Sequence, residues 1–420
     1  MKKIFSSIDI GSSSIKIVVC ELFKEKLNVL ASINYPSKGI KNGIVVEEDK
    51  LEEEIVKALN EVNSSLGTKI DKVIINVPLY DAEYMISDGS TTITNKDRVV
   101  TGTDMVNALQ GSIYNKIDKS RELVTILPIK YNVDTARQDI LKPRGIMASN
   151  LSVKSMITTV PRKNIYKIIR IFQKLNIDVV DILFGIIGDY YEFKTTKCDK
   201  SITGVINVGA SKTEIAIFNK GIITSSKVIL YGDSEIDNEI SYVYNIKESQ
   251  AKKIKETFAI AYKDFASSND IYEIVNKSNI KTKINQYEVS ELVMSRLKEI
   301  LENAKKELNH LTKKEISYII VTGGIADIPG FDVLCKDVFG DILIANQIKT
   351  IGVRNNSYSS SLGMIKYFIN KLSIRGKEYT MFNEEKQIEL VEARKNNNLN
   401  NNSNSVFGKL FGYLFDNRED

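Results

Sequence analysis

The chain has 420 residues, 43% of them hydrophobic, with 58 basic against 53 acidic side chains and a formal net charge of +5. That length corresponds to two or three domains with ample material for packed cores, and charge of both signs spread along the whole chain does not single out nucleic acid as a partner. A single histidine, His310, and three dispersed cysteines, Cys20, Cys198 and Cys335, exclude a clustered structural metal site.

The basic opening MKKIFSSIDI meets Lys16 before any apolar run reaches the length of a signal region, and no run approaches the ~18 residues of a membrane span. The expectation is a chain that neither crosses a membrane nor is exported, with its thiols reduced in the cytoplasm. From Ser7 to Leu22 the sequence SIDIGSSSIKIVVCEL predicts a strand, a tight turn and a second strand. LEEEIVKALNEVNSSL follows as a helix and KVIINVPL as a further apolar strand, an alternation that reads as α/β. From about Tyr84 to Thr159, alternating segments such as ELVTILPIKYNV interrupt this pattern as a small α+β insertion.

A second cycle starts at GVINVGASKTEIAIF (Gly204 to Phe218), passes through charged helices around Ala251 to Ala261 and Val289 to Leu311, and reaches the strand ISYIIVTGG. The implied division is 1–83 with 163–200 for one half, 84–162 for the insertion, and 201–372 for the other half, whose helical portion covers about 232–312. After Leu372 the composition turns polar, culminating in KNNNLNNNSNS, and predicts a disordered linker over 373–404.

The segment at 405–420 has a different chemistry. Wound as a helix, Val406, Phe407, Leu410, Phe411, Tyr413, Leu414 and Phe415 fall on one arc of about 200°, opposite Gly408, Lys409, Gly412 and Asp416. An apolar helix on a polar tether suits an in-plane membrane anchor, the alternative being that it docks back on the chain's own body. Lys409 and Arg418 stand against Asp416, Glu419 and Asp420, so attachment is expected to be hydrophobic rather than polybasic.

The two half-starts share one plan. Asp9-Ile-Gly11-Ser-Ser-Ser-Ile-Lys16 and Asn207-Val-Gly209-Ala-Ser-Lys-Thr-Glu214 each follow an apolar strand, carry one glycine, supply hydroxyls and precede another apolar strand. Glycine leaves backbone N–H groups exposed in a tight turn, and clustered amides with hydroxyls form an anion cradle. One such hairpin is most often merely a turn. A third element, VTGGIADIPG (Val321 to Gly330), runs a strand into Gly323 and Gly324 and lets backbone approach a flat ligand such as adenosine.

In this order and spacing the three elements resemble the actin superfamily of ATPases, which also includes sugar kinases and heat-shock chaperones. Within it the chain resembles the FtsA family of bacterial cell-division proteins along nearly its whole length. Gly39-Ile-Lys-Asn-Gly43 looks like that family's segment after the first β-meander, and the insertion starts where the family replaces the usual actin subdomain. Ala251 to Lys255 and ELVMSRLKEI (Glu291 to Ile300) resemble its nucleotide-side and partner-side helices, and the amphipathic terminal helix is in keeping with it.

The resemblance implies a two-domain actin-like α/β fold with an inserted α+β subdomain, binding ATP and Mg²⁺. Gly11, Ser12, Ser13 and Lys16 from one half and Gly209, Ser211 and Thr213 from the other would hold the phosphates. Asp9 and Asn207 would stand beside a Mg²⁺ that keeps most of its own waters. Lys255, Gly323, Gly324 and Ile325 would contact adenosine.

Three departures bear on activity. Asn207 stands where the superfamily usually has aspartate, Ala210-Ser211 replaces Gly-Gly, and Lys252 replaces a usual glutamate. An amide brings no negative charge to hold the ion or activate water, so ATP binding is expected and hydrolysis is expected to be weak or absent. The implied role is a peripheral protein on the cytoplasmic face of the cell membrane at the division site. It would polymerise head to tail, tether filaments of the tubulin-like protein FtsZ through their C-terminal tails, and help assemble the septum, with later division proteins as further partners and no nucleic acid.

Arg296 is the candidate contact for the acidic FtsZ tail, against the alternative of an ordinary i,i+3 pair with Glu299. Two rival functions share the superfamily fold. A type IV pilus scaffold would lack the terminal helix, and a small-molecule kinase would need a catalytic carboxylate beside a sugar pocket.

Overall fold

The first hairpin forms as its apolar runs predict. In the computed structural model, which describes residues 2–400 except 135, 345–347, 349 and 354, β1 (Lys3–Ile10) and β2 (Ser14–Phe23) pair antiparallel from Lys3 opposite Leu22 to Ile10 opposite Ile15. β3 (Lys26–Pro36) extends the meander, and the two-residue strands β4 (Ile40–Lys41) and β5 (Ile44–Val45) lead into α1 (Glu48–Leu66). α1 buries Leu51, Ile55, Ala58, Leu59, Val62 and Leu66 at helical spacing and stops at Gly67, whose φ of 75° places it in the left-handed region that ends helices. β6 (Lys72–Val77) then runs parallel to β1. Their near-continuous burial suits a position covered on both faces.

The chain now leaves this sheet. β7 (Glu83–Thr92), α2 (Gly102–Ile113), β8 (Arg121–Val133), β9 (Ala136–Ile140) and β10 (Asn150–Pro161) form a four-stranded sheet of order β7-β10-β8-β9 with its own small core. A reciprocal cap opens α2: the Asp104 N–H donates to the Thr101 hydroxyl and the Thr101 N–H to the Asp104 carboxylate. Gly89 lets α2 lie close on the sheet, because a Cβ there would stand 2.3 Å from the Ala108 carbonyl oxygen.

α3 (Arg162–Lys174) returns to the first sheet, where β11 (Asp178–Phe184) pairs parallel with β6 and completes the order β11-β6-β1-β2-β3. α4 (Gly185–Phe193) follows at once and carries the chain across to the second half.

There β12 (Ile202–Val208), β13 (Thr213–Asn219) and β14 (Ile222–Ile229) repeat the meander. α5 (Ser234–Val243), α6 (Glu248–Thr257), the hairpin of β15 (Ile271–Val275) and β16 (Lys281–Asn285), and α7 (Gln286–Leu311) precede β17 (Tyr318–Thr322), which runs parallel to β12. After α8 (Phe331–Phe339), β18 (Leu343–Ile344) closes a sheet of order β14-β13-β12-β17-β18. Strand for strand this repeats the first sheet, so the two-half reading holds as a structural duplication. The β15–β16 hairpin escaped the sequence reading because its strands are only five residues long and β16, KTKIN, is largely polar.

α9 (Ser359–Arg375) crosses back against α4. A Cβ on Gly363 would stand 1.7 Å from the Gly188 carbonyl oxygen, and one on Gly188 2.3 Å from that of Ser360. The two helices that join the halves therefore cross backbone against backbone, which only glycine permits.

The folded body also runs past Leu372, where composition predicted a linker. The Met381 N–H donates to the Ile4 carbonyl at 2.9 Å, and Met381 and Phe382 are buried. α10 (Glu384–Asn400) begins against the body through a Lys386–Asp71 ion pair at 2.6 Å and a Thr68–Glu389 hydrogen bond. A window of polar residues hides two apolar ones with a core to join, so the boundary expected at 373 moves beyond Leu390. The segment 401–420, with Val406, Phe407, Leu410, Phe411, Tyr413, Leu414 and Phe415, lies outside the described residues. Among the described residues no helix is long and apolar enough to cross a membrane.

Candidate functional site

The two glycine turns face each other across a cavity of about 180 Å³ between the halves. They are built alike: the Gly11 N–H donates to the Ser14 carbonyl at 2.9 Å and the Gly209 N–H to the Lys212 carbonyl at 2.9 Å. A Cβ on Gly11 would stand 3.0 Å from the Ser14 oxygen and one on Gly209 3.1 Å from the Lys212 oxygen, tight approaches that favour glycine. At the meeting point the Ser211 hydroxyl donates to the Ser12 hydroxyl at 2.9 Å, and the Gly43 N–H donates to the same Ser12 oxygen at 2.9 Å. Ser13 and Lys16 also line the cavity, so of the seven expected phosphate contacts only Thr213 lies elsewhere. Thr213 is buried, its hydroxyl spent on the Tyr231 carbonyl at 2.8 Å. Alternation along β13 sends its side chain to the core face.

Charge of both signs lines the cleft. Asp9 is nearly buried, receives a hydrogen bond from the Asn76 amide at 2.6 Å and faces the Lys16 ammonium at 3.4 Å. Across from it, Lys212 pairs with Glu214 and lies over the Tyr80 ring at 5.4 Å.

Asn207 reaches the cleft from the end of β12, but its amide nitrogen is turned inward. It donates to Asp189 Oδ2 at 2.5 Å and lies 3.5 Å from the Ser360 hydroxyl. Asp189 belongs to α4, is completely buried, and accepts from the Ser359 and Ser360 hydroxyls at 2.6 and 2.9 Å on its other oxygen. Burial pushes its carboxyl up to about 7 against the pull of those three hydrogen bonds, and the nearby charge of Asp9 adds to the rise. The sequence reading missed it; an aspartate directly after the apolar run ILFGIIG was the available signal.

On the opposite wall the two glycines do different work. Gly323 has a φ of 115° and a Cβ there would stand 2.1 Å from the Val208 carbonyl oxygen, so this glycine lets β17 turn against β12. Gly324 borders open space, with only the Ser357 Cβ at 3.9 Å. Ile325 points the other way, into the core, and does not line the cleft. Lys255 is likewise corrected: it is fully buried, donates to the Asp233 carbonyl at 3.0 Å, and pairs with the carboxylates of Asp233 at 3.3 Å and Asp237 at 2.8 Å. One turn earlier and one residue later on α6, Lys252 and Glu256 line the cleft instead. Asn356, Ser357 and Ser359, leading into α9, form a further part of the wall that the sequence reading did not include.

Arg296 lies on α7, outside the cleft. Its guanidinium is bidentate on Glu239 and bonds Glu299 at 2.8 Å, so the i,i+3 pair exists and a second carboxylate completes it.

Two family models match the chain: cell division protein FtsA over residues 204–363, and the SHS2 domain inserted in FTSA over residues 82–159. Cell division protein FtsA of Bacillus subtilis (strain 168) is 26% identical over 379 residues, covering 90% of this chain and 86% of that protein. Cell division protein FtsA of Streptococcus pneumoniae serotype 2 is 25% identical over 367 residues, covering 86% and 79%. Among solved structures, the PilM-PilN type IV pilus biogenesis complex aligns with a TM-score of 0.55 at 14% identity, over 86% of this chain and 97% of that one. MreB5 of Spiroplasma citri bound to ADP aligns with a TM-score of 0.52 at 12% identity, over 89% and 99%.

The duplicated sheets and the cleft between them place the chain in the actin-like class. The matched segments, including the inserted domain, go further: the chain belongs to the FtsA family of cell division proteins.

Proposed function

We propose that this chain binds ATP in the cleft, self-associates head to tail, and tethers FtsZ filaments to the cytoplasmic membrane at the division site. The observation that carries the reading is the meeting of the two glycine hairpins through Ser12 and Ser211, which sets two sets of amides and hydroxyls around one space. The open position at Gly324 leaves room for a flat group, and the acceptors of Asp9 and Asn207 face the same cavity, so the residues present fit a magnesium nucleotide. When bound, the nucleotide supplies polyanionic phosphates that both halves can grip, with Mg²⁺ offsetting their charge. Gly11, Ser12, Ser13 and Lys16 would hold them from one side and Gly209 and Ser211 from the other. Adenosine would lie along Gly324 with Lys252 and Glu256 nearby. The neutral amide of Asn207 orients water without drawing off its proton, so turnover is slow or nil.

Attachment to lipid is assigned to the apolar side chains of the segment 405–420, and the FtsZ tail to the surface of α7. An acidic tail reaching Arg296 would have to displace Glu239, which makes that contact an exchange of partners. One short apolar helix binds lipid marginally, and linking many copies in a filament raises retention ~100-fold or more without a new contact. The test is co-sedimentation with neutral liposomes. With ATP, Mg²⁺ and micromolar protein the full chain should pellet, while Phe411→Glu, which puts a charge in the apolar arc, should stay in the supernatant. Pelleting of Phe411→Glu would overturn the anchor, and equal retention of the isolated terminal peptide would overturn the coupling to self-association.

A further inference from the structure

The carboxylate absent from position 207 stands one layer behind it. Asp189 has no exposure to the cleft, and its two oxygens are taken by three donors: the Ser359 and Ser360 hydroxyls on Oδ1 and the Asn207 amide on Oδ2. An ionised carboxylate only accepts hydrogen bonds, whereas a carboxamide has a donor end and an acceptor end. With its nitrogen held on Asp189, Asn207 can direct only its carbonyl oxygen toward the cavity. The lock is anchored where α4 and α9 cross through Gly188 and Gly363, so neither helix can shift to release it without parting the backbones.

We infer that Asp189 is a positioning residue: it fixes the orientation of Asn207, and it bars an aspartate from position 207 unless the carboxylate behind is removed at the same time. The charged groups near this pair are Asp9, across the cleft floor, and Lys16 beside it; among the described residues no basic side chain is within ion-pair distance of Asp189. Asn207→Asp alone would therefore set two carboxyl groups at hydrogen-bond distance with no cation between them, and they repel once the pH is high enough to ionise both. Exchanging the pair, with Asp189→Asn and Asn207→Asp together, restores one donor and one acceptor and moves the charge to the cleft side. The consequence for hydrolysis rests on the nucleotide reading above; the lock does not.

The experiment is a four-member cycle in the full chain: parent, Asp189→Asn, Asn207→Asp, and the exchange. Melting is followed without nucleotide at pH 9, where Asp189 is ionised, and phosphate release is measured at the same pH with ATP and Mg²⁺. Asn207→Asp should melt about 5 °C below the parent, and the exchange should recover most of that loss. Phosphate release should rise tenfold or more in the exchange, well above any gain in Asn207→Asp. If Asn207→Asp melts with the parent, or if the exchange melts no higher than Asn207→Asp, the lock is overturned. If melting recovers while phosphate release stays at the parent level, the lock stands and position 207 is not what limits hydrolysis.

Discussion

Ser12 and Ser211 come from turns 199 residues apart in the chain, and their hydroxyl oxygens lie 2.9 Å from each other. The contact joins the tips of the duplicated hairpins, so a phosphate entering between them must replace it with hydrogen bonds of its own. Hydrogen bonds to a charged group contribute about 1.5–3 kcal/mol, more than the neutral pair they replace. Ser211→Ala should weaken binding of a fluorescent ATP analogue about tenfold or more, with little change in melting because the hydroxyl is only partly buried. Unaltered affinity in a titration would remove Ser211 from the phosphate site.

Gly323 and Gly324 are adjacent but should respond oppositely. Gly323→Ala drives a methyl group into the Val208 carbonyl at a backbone angle that side chains rarely adopt, and it should cost about 2 kcal/mol or more, read as a lower melting temperature. Gly324→Ala should melt like the parent. Gly324→Arg should also fold, yet lose the ATP analogue, because its side chain grows into the cavity.

Lys255 holds Asp233 and Asp237 together from a fully buried position. Removing one partner of such a cluster leaves uncompensated buried charge and typically costs about 3–5 kcal/mol. Lys255→Met should therefore lower the denaturation midpoint strongly. Since the ammonium does not face the cleft, nucleotide affinity measured below that midpoint should change far less than stability; the reverse pattern would return Lys255 to the binding site.

The pH dependence of stability should carry the mark of Asp189. Its carboxyl is pushed up to about 7 in the folded chain from an ordinary value of 3.8, so between those values the folded state holds the proton more tightly than the unfolded state does. Stability from this group is therefore highest in acid and declines as pH rises from about 4 to about 7, by on the order of 4 kcal/mol at full effect. Asp189→Asn cannot titrate. Its melting temperature relative to the parent should rise between pH 5 and pH 8, and a difference that stays constant with pH would refute the assignment.

Much of the architecture was legible in the chain because it depends on neighbours. Meander strands pair with the next strand along, so apolar alternation and the glycines at 11 and 209 sufficed for both hairpins, and the duplication followed from finding that pattern twice. The positions of Ser12, Ser13, Lys16 and Ser211 in the cleft come from the same local turns. Other features needed the fold because they join distant segments or depend on which face of an element is covered. Asp189 meets Ser359 across 170 residues of sequence, and while the apolar run before it hints at burial, nothing local names the partners it meets there. Lys255 and Lys252 share one helix, and only packing against Asp233 and Asp237 sends the first inward while the second faces the cleft. Thr213 was placed by its neighbours in the turn, but strand alternation turned it to the core. Sequence settles what is decided between adjacent residues; which charges are buried, and against what, is decided only when α4, α6 and α9 close on the two sheets.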